Sequence, residues 1–427
     1  MTNRLSALSR TLRGSAILDI AGEVRALIAQ GHEILNLTVG DFSAAQFPIP
    51  RELEDAIIGA VRAGETTYPP PAGMDALRAA IREFYHRRLG IDVPTASVLV
   101  AGGARPVIYS AYRALIDPGD RVVFGVPCWN NDYYCQLTGA DAVTIDCSPD
   151  TGFLPTADAI RPHLRGARLL ALGSPLNPTG TAMDRDQLGA ICDLVLAENA
   201  RRGPNERPLF VLYDQVYWML TVGGTEHVHP IGVRPAMAPY TVYVDAISKS
   251  FASTGLRVGW AVGPADVISA MNNVCVHMGS WAPRPEQVAT AKLLMNDAAV
   301  DTYIAHVQHE LDARLTAVHE GLGAMARDGL PVDSVRPQGG IYVSAQFALH
   351  GLQRSSGDVL RTDDDVRRYL LREAGFAIVP FKAFGSEGDR GWFRISIGIV
   401  TVPMIESLLP RLRAAVAALA PAEIAAD

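Results

Sequence analysis

Seven short, nearly unbroken apolar runs, spaced by segments of helical periodicity, constrain this chain more than any other feature. They lie at residues 97–101 (SVLVA), 121–125 (RVVFG), 142–146 (AVTID), 168–172 (RLLAL), 208–213 (PLFVLY), 241–246 (TVYVDA) and 259–263 (GWAVG). A strand with one wet face alternates apolar and polar residues, whereas a strand covered on both faces is apolar throughout. Amphipathic stretches fill the gaps, among them residues 184–202, where Asp184 is placed to cap a helix just before Gln187. Buried strands alternating with helices predict an α/β fold with a doubly wound, mostly parallel, seven-stranded sheet. In such sheets ligands bind beyond the carboxyl ends of the strands.

At 427 residues the chain is long for one core. From about residue 285 the texture changes to a long helical pattern (PEQVATAKLLMNDAAVDTYIAHVQHELDARL) followed by alternating strands such as GIYVSAQF and WFRISIG. This predicts a second, smaller α+β domain built from both chain ends: residues 1–50 and 291–427 around a large domain at 51–290. The Ala-rich end (LRAAVAALAPAEIAAD) predicts a last helix and a frayed tail.

A formal charge of −7 argues against a nucleic acid or an anionic membrane as the main partner. Any anion must therefore be held by placed groups. The five cysteines, Cys128, Cys135, Cys147, Cys192 and Cys275, have neither CxxC nor zinc spacing, so buried free thiols in a reducing compartment are expected and no metal site. The first thirty residues carry charges at short intervals and lack an apolar h-region, and no stretch approaches the roughly 20 apolar residues that span a bilayer. A cytoplasmic protein is expected.

The unusual polar residues fall where the runs end. The turn GSPLNPTG holds Asn177; Asp214 follows the fifth run, with Tyr217 three residues on; ISKSFASTGLRVGW follows the sixth, with Lys249 past the strand end and Arg257 eight residues later. Singly, these are a turn signal, a strand-end acid and a solvated lysine. In this order, with Trp129 upstream and Arg394 downstream, the chain resembles the fold type I, class I/II aminotransferases over nearly its whole length, and in particular the bacterial aspartate aminotransferases.

That resemblance implies pyridoxal 5′-phosphate (PLP), held by Lys249 as a Schiff base. PLP chemistry needs an amine that is neutral enough to attack an aldehyde and then to move a proton from the substrate's Cα. Asp214 takes the place of the acid that keeps the cofactor's ring nitrogen protonated. Asn177 and Tyr217 match the donors to its phenolic oxygen. Trp129 stands where the family stacks an aromatic ring, the alternative being ordinary packing. For the phosphate, AGGARP offers the amides of Gly103, Ala104 and Arg105 at a helix N-terminus, and Arg257 offers a charge. Where the family commonly has a serine, three residues before the lysine, this chain has Ala246, which leaves Ser248 as the side-chain candidate. Tyr68, in ETTYPPPAG, resembles a tyrosine that reaches the phosphate of a neighbouring subunit and so implies a homodimer with shared active sites; the other reading is a turn residue before the prolines.

On the substrate side, Arg394 matches the arginine that grips the α-carboxylate, a task suited to a planar bidentate donor. Asn177 and Gly40 lie near the substrate in the family. Arg105 falls where the bacterial subgroup has a lysine for a distal carboxylate; either its side chain binds that group in aspartate or glutamate, or it gives only its amide. The expected reaction is transfer of an amino group from an L-amino acid, aspartate first, to a 2-oxo acid such as 2-oxoglutarate. A carbon–sulfur β-lyase on the same frame, releasing pyruvate and ammonia, and a non-catalytic PLP-binding regulator are the alternatives.

Overall fold

The computed structural model describes residues 4–12 and 14–422. Seven strands form one sheet: β1 (Val98–Ala101), β2 (Arg121–Val126), β3 (Asp141–Asp146), β4 (Ala167–Gly173), β5 (Phe210–Asp214), β6 (Thr241–Ala246) and β7 (Gly259–Val262), in the order β1-β7-β6-β5-β4-β2-β3. The pairs β2–β3, β2–β4, β4–β5 and β5–β6 are parallel, and β7 runs antiparallel to both of its neighbours. The exception has a local cause. Residues 247–258 hold one helical turn, Ile247–Ser250, too little for the crossover that a parallel return requires.

β1, β6 and β7 are buried at every residue, as their nearly unbroken apolar sequences require, whereas the edge strand β3 is mostly exposed. One face of the sheet packs on Val107, Ile108 and Ala111 of helix Ala104–Leu115 and on Ile268 and Met271 of helix Ala265–Met278. The other packs on Ile81 and Phe84 of helix Asp75–Leu89 and on Leu188 and Ile191 of helix Arg185–Arg201. Asp184 caps the latter, accepting from the Gln187 amide at 2.7 Å.

A second sheet contains β8 (Val332–Ser334), β9 (Tyr342–Phe347), β10 (Val379–Pro380) and β11 (Trp392–Ser396), antiparallel in the order β10-β11-β9-β8. Leu35–Asn36 pairs in parallel with Phe376–Ala377, which joins the N-terminal segment to this region. The helical pattern after residue 284 is two helices rather than one, Arg284–Leu294 and Asp297–Arg327. The break falls where the Asn296 side chain accepts from the Ala299 amide at 3.2 Å and starts the second helix. Helix Val402–Ala417 closes the fold; the end of the expected frayed tail, from residue 423, lies outside the described residues. All five cysteines are free and buried. Among the described residues no helix is long and apolar enough to cross a membrane, and no cluster of His, Cys, Asp and Glu could hold a metal.

Candidate active site

Three strand ends open onto one cavity. β4 leads into the turn of Asn177, β5 ends on Asp214 with Tyr217 a turn later, and β6 leads into the single helical turn that carries Ser248 and Lys249. The Lys249 amine donates to the Gly40 carbonyl at 2.6 Å. Withdrawal from water pulls its pKa down to about 8; Arg394, Arg105 and Arg257 add to this and Asp41 opposes it. Burial pushes Asp214 the other way, up to about 6, against the Val216 amide and the charge of Lys249. The cavity thus pairs an amine with a sizeable neutral fraction near neutral pH and an acid that is mostly ionised there. Tyr217 lies beside the lysine, its ring centroid 5.9 Å from the lysine nitrogen and its hydroxyl 2.8 Å from that of Tyr342.

The anion end is built on close backbone approach. Gly103 caps helix Ala104–Leu115 at φ +99°, and a Cβ there would strike the Arg257 guanidinium. Arg257, itself at φ +57°, donates to the Thr254 carbonyl at 2.7 Å and the Gly102 carbonyl at 3.1 Å, so these two bonds go to backbone oxygens and not to a carboxylate. A left-handed non-glycine residue costs of order 1 kcal/mol, so the surroundings hold this arginine in place. The Arg105 guanidinium stacks 4.9 Å above the Trp129 ring. Two cations and a helix N-terminus therefore converge at this end.

At the opposite end Arg394, from β11, is 1% exposed. It donates to Asn177 Oδ1 at 3.1 Å and the Thr38 carbonyl at 2.6 Å, and lies between the rings of Tyr342 (4.7 Å) and Phe384 (4.8 Å). Its Nε has no hydrogen-bond partner among the described residues. A buried guanidinium with an open N–H is costly unless an anion joins it. With one Asn177 oxygen lone pair given to Arg394, the amide nitrogen of Asn177 is left to donate elsewhere.

The cavity measures about 420 Å³ and is lined by Gly40, Ala104, Arg105, Trp129, Asn177, Asp214, Tyr217, Ser248, Lys249, Arg257 and Arg394. Gly103 lies just beneath, seating Arg257. Tyr68 does not reach this chain's cavity: it is 83% exposed and meets Trp281 edge to face at 5.3 Å. Sequence reasoning missed Tyr342, Asp41 and Thr254, as well as Ile17, Leu18, Ala21 and Arg25 of helix Ala16–Ala29, which also line the space. Tyr342 stood visibly in an alternating strand, but nothing local said that the strand ends at the cavity. A larger groove, about 880 Å³, runs between helices Arg51–Arg62 and Asp297–Arg327, but it lacks this convergence of lysine, acid and buried arginine.

Residues 32–412 match the family described as aminotransferase class I and II. The chain belongs to this family. The aminotransferase is 28% identical over 385 residues to an aspartate aminotransferase of Geobacillus stearothermophilus, covering 90% of this chain and 92% of that protein. It is 30% identical over 393 residues to a probable aspartate/prephenate aminotransferase of Rhizobium leguminosarum bv. phaseoli, covering 91% and 93%. The crystal structure of the Rhizobium meliloti aspartate aminotransferase superposes with a TM-score of 0.89 at 27% identity, over 98% of this chain and 100% of that one. The Thermus thermophilus aspartate aminotransferase, solved with maleate, gives 0.85 at 27% identity, over 97% and 100%. As an aminotransferase, this enzyme moves amino groups from amino acids to 2-oxo acids on an α/β frame whose seven-stranded sheet is mostly parallel.

Proposed function

We propose that this aminotransferase binds PLP on Lys249 and transfers the amino group of aspartate, or a similar dicarboxylic amino acid, to a 2-oxo acid such as 2-oxoglutarate. The observation that carries the reading is the arrangement in one cavity of a depressed lysine, a strand-end acid and two separately held arginines, Arg257 and Arg394, whose hydrogen bonds go to carbonyl oxygens and not to carboxylates. The group fits the residues. Arg257 and the amides of Gly103, Ala104 and Arg105 suit a phosphate, with Ser248 beside them; Trp129 suits a ring face; Asp214 suits a ring N–H; the Asn177 amide and the Tyr217 hydroxyl suit a phenolic oxygen. When bound, PLP supplies an electrophilic carbon for amines and a conjugated ring that spreads negative charge from the substrate's Cα.

The chain's own groups do the rest. Lys249, neutral in part below pH 8, would supply the amine that holds the group and, when free, the base for the Cα proton. Asp214 would offer its negative charge to the ring nitrogen and favour a proton there. Arg394 grips the α-carboxylate with the N–H that has no partner in the free protein. Arg105, stacked on Trp129 but forming no resolved ion pair there, is the candidate for a distal carboxylate, a reading supported by the maleate on which the Thermus relative was solved.

Arg105→Ala is expected to lower kcat/KM for aspartate by about 10- to 100-fold, the worth of one charged hydrogen bond, and to leave alanine within about twofold. Steady-state kinetics on both substrates checks this, and an equal drop for the two would sink the assignment. The reaction type is tested by adding aspartate alone to the holoenzyme: a transaminase loses its yellow band stoichiometrically and yields oxaloacetate, whereas a β-lyase given a cysteine conjugate turns over to pyruvate and ammonia.

The exposed Tyr68 supports a homodimer in which that ring completes the partner's site, and five free thiols support the reducing cytoplasm. Residues 51–290 and the joined segments 1–50 and 291–427 are proposed as the two domains that meet at the cavity.

A further inference from the structure

Behind the cavity lies a second carboxylate with no part in the chemistry above. Asp245, on β6, is 1% exposed. Its Oδ1 accepts from the Ala246 amide at 2.7 Å; its Oδ2 accepts from Trp218 Nε1 at 2.8 Å and from the Tyr85 hydroxyl at 3.1 Å. Tyr85 in turn accepts from Trp260 Nε1 at 3.1 Å and Gln215 Nε2 at 3.2 Å. A hydroxyl has two lone pairs and one hydrogen. With both lone pairs taken, the Tyr85 hydrogen is committed to Asp245. All three partners of Asp245 therefore donate and none is free to accept. A carboxylate completes this set of bonds; a carboxylic acid would bring a hydrogen for which these partners offer no acceptor.

The same bonds tie together the segments that carry the site. Gln215 follows Asp214, Trp218 follows Tyr217, Asp245 precedes Lys249 by four residues, and Trp260 follows Arg257 by three. Among the groups facing Asp245, Asp214 is the other acid within electrostatic reach. His227, 3.4 Å from Gln215 Oε1, is kept neutral, its pKa pushed down to about 3 by burial and then by His229. Burial lifts the proton affinity of Asp245 to about 8, with Asp214 adding to it, while the three donors pull the other way. Completeness of the hydrogen bonds favours the ionised form.

We propose that Asp245 is a positioning residue for transamination: a buried anion that fixes the Asp214–Tyr217 turn against the Lys249 turn and raises the proton affinity of the groups around Lys249. This rests on the cofactor reading above. Asp245→Asn keeps the size and removes the charge. In the holoenzyme the pH midpoint of the visible band is expected to fall by about half a unit to one unit. kcat is expected to drop about tenfold, with KM for aspartate within about twofold. An unchanged midpoint overturns the proposal, however far the Tm moves, because a structural role alone changes only the Tm. Should the variant fail to fold, Tyr85→Phe removes one donor and keeps the ring; a smaller shift in the same direction supports the proposal and no shift overturns it.

The protein without cofactor separates this idea from the cofactor reading, whose own failure would appear as a wild type with no visible band. An acid with a raised folded-state pKa makes wild type lose stability steadily against Asp245→Asn between pH 5 and 8, whereas an acid ionised throughout leaves the Tm difference flat. The flat result supports the anion and the sloping one overturns it.

Discussion

Lys249→Ala is expected to lose transamination by at least about 10⁴-fold in kcat, the upper range for removal of a general base, or about 5.5 kcal/mol of barrier. The loss is large because no other amine can stand in: Lys292 and Lys382 are the only other lysines in the chain, and neither lines the cavity. Lys249→Arg separates amine from charge. A guanidinium keeps the positive charge near Gly40 but stays protonated at any working pH, so it can neither attack nor accept a proton. Both variants should therefore be inactive in single-turnover assays with aspartate. An arginine variant with more than about one-hundredth of wild-type activity would contradict the role.

Asp214→Ala is expected to lower kcat by about 10³-fold or more while the protein still takes up the cofactor, because Lys249, Arg257 and the Gly103 cap are untouched. The proposed role is one of charge, so Asp214→Asn, of nearly the same shape, should fall almost as far. Burial sets the proton affinity of Asp214 at about 6 in the free protein. The proposed role requires the ionised form, so its contribution is expected above that value and lost as pH drops through it; a cation at the ring nitrogen would carry the midpoint lower. Wild-type kcat/KM should thus decline on the acid side, and the Asn variant should lack that limb. Near-normal turnover in either variant would remove Asp214 from the site.

Much of this frame was legible because burial on both faces leaves a nearly unbroken apolar run, and β1, β6 and β7 are such runs. Polar residues at the ends of β4, β5 and β6 stood out against that background, and the structure brings Asn177, Asp214 and Lys249 around one cavity. What stayed hidden depends on distance in the chain. The pairing of Tyr217 with Tyr342 spans 125 residues, and the bond from Lys249 to Gly40 spans 209. The wall formed by helix Ala16–Ala29 reads as an ordinary amphipathic helix. The break at Asn296 lacks glycine or proline, so the helical pattern runs through it unmarked. Asp245 sits within TVYVDA as a single charged residue, and only the three donors around it reveal a built environment.

Reduction of the yellow holoenzyme with borohydride, followed by mass mapping of its peptides, tests the central claim most directly. With only three lysines in the chain, the outcome is unambiguous. The expected result is one stable adduct of the mass of reduced PLP on the peptide containing Lys249, absent from the Lys249→Ala protein. No adduct, or an adduct on Lys292 or Lys382 that persists in that variant, would contradict the account.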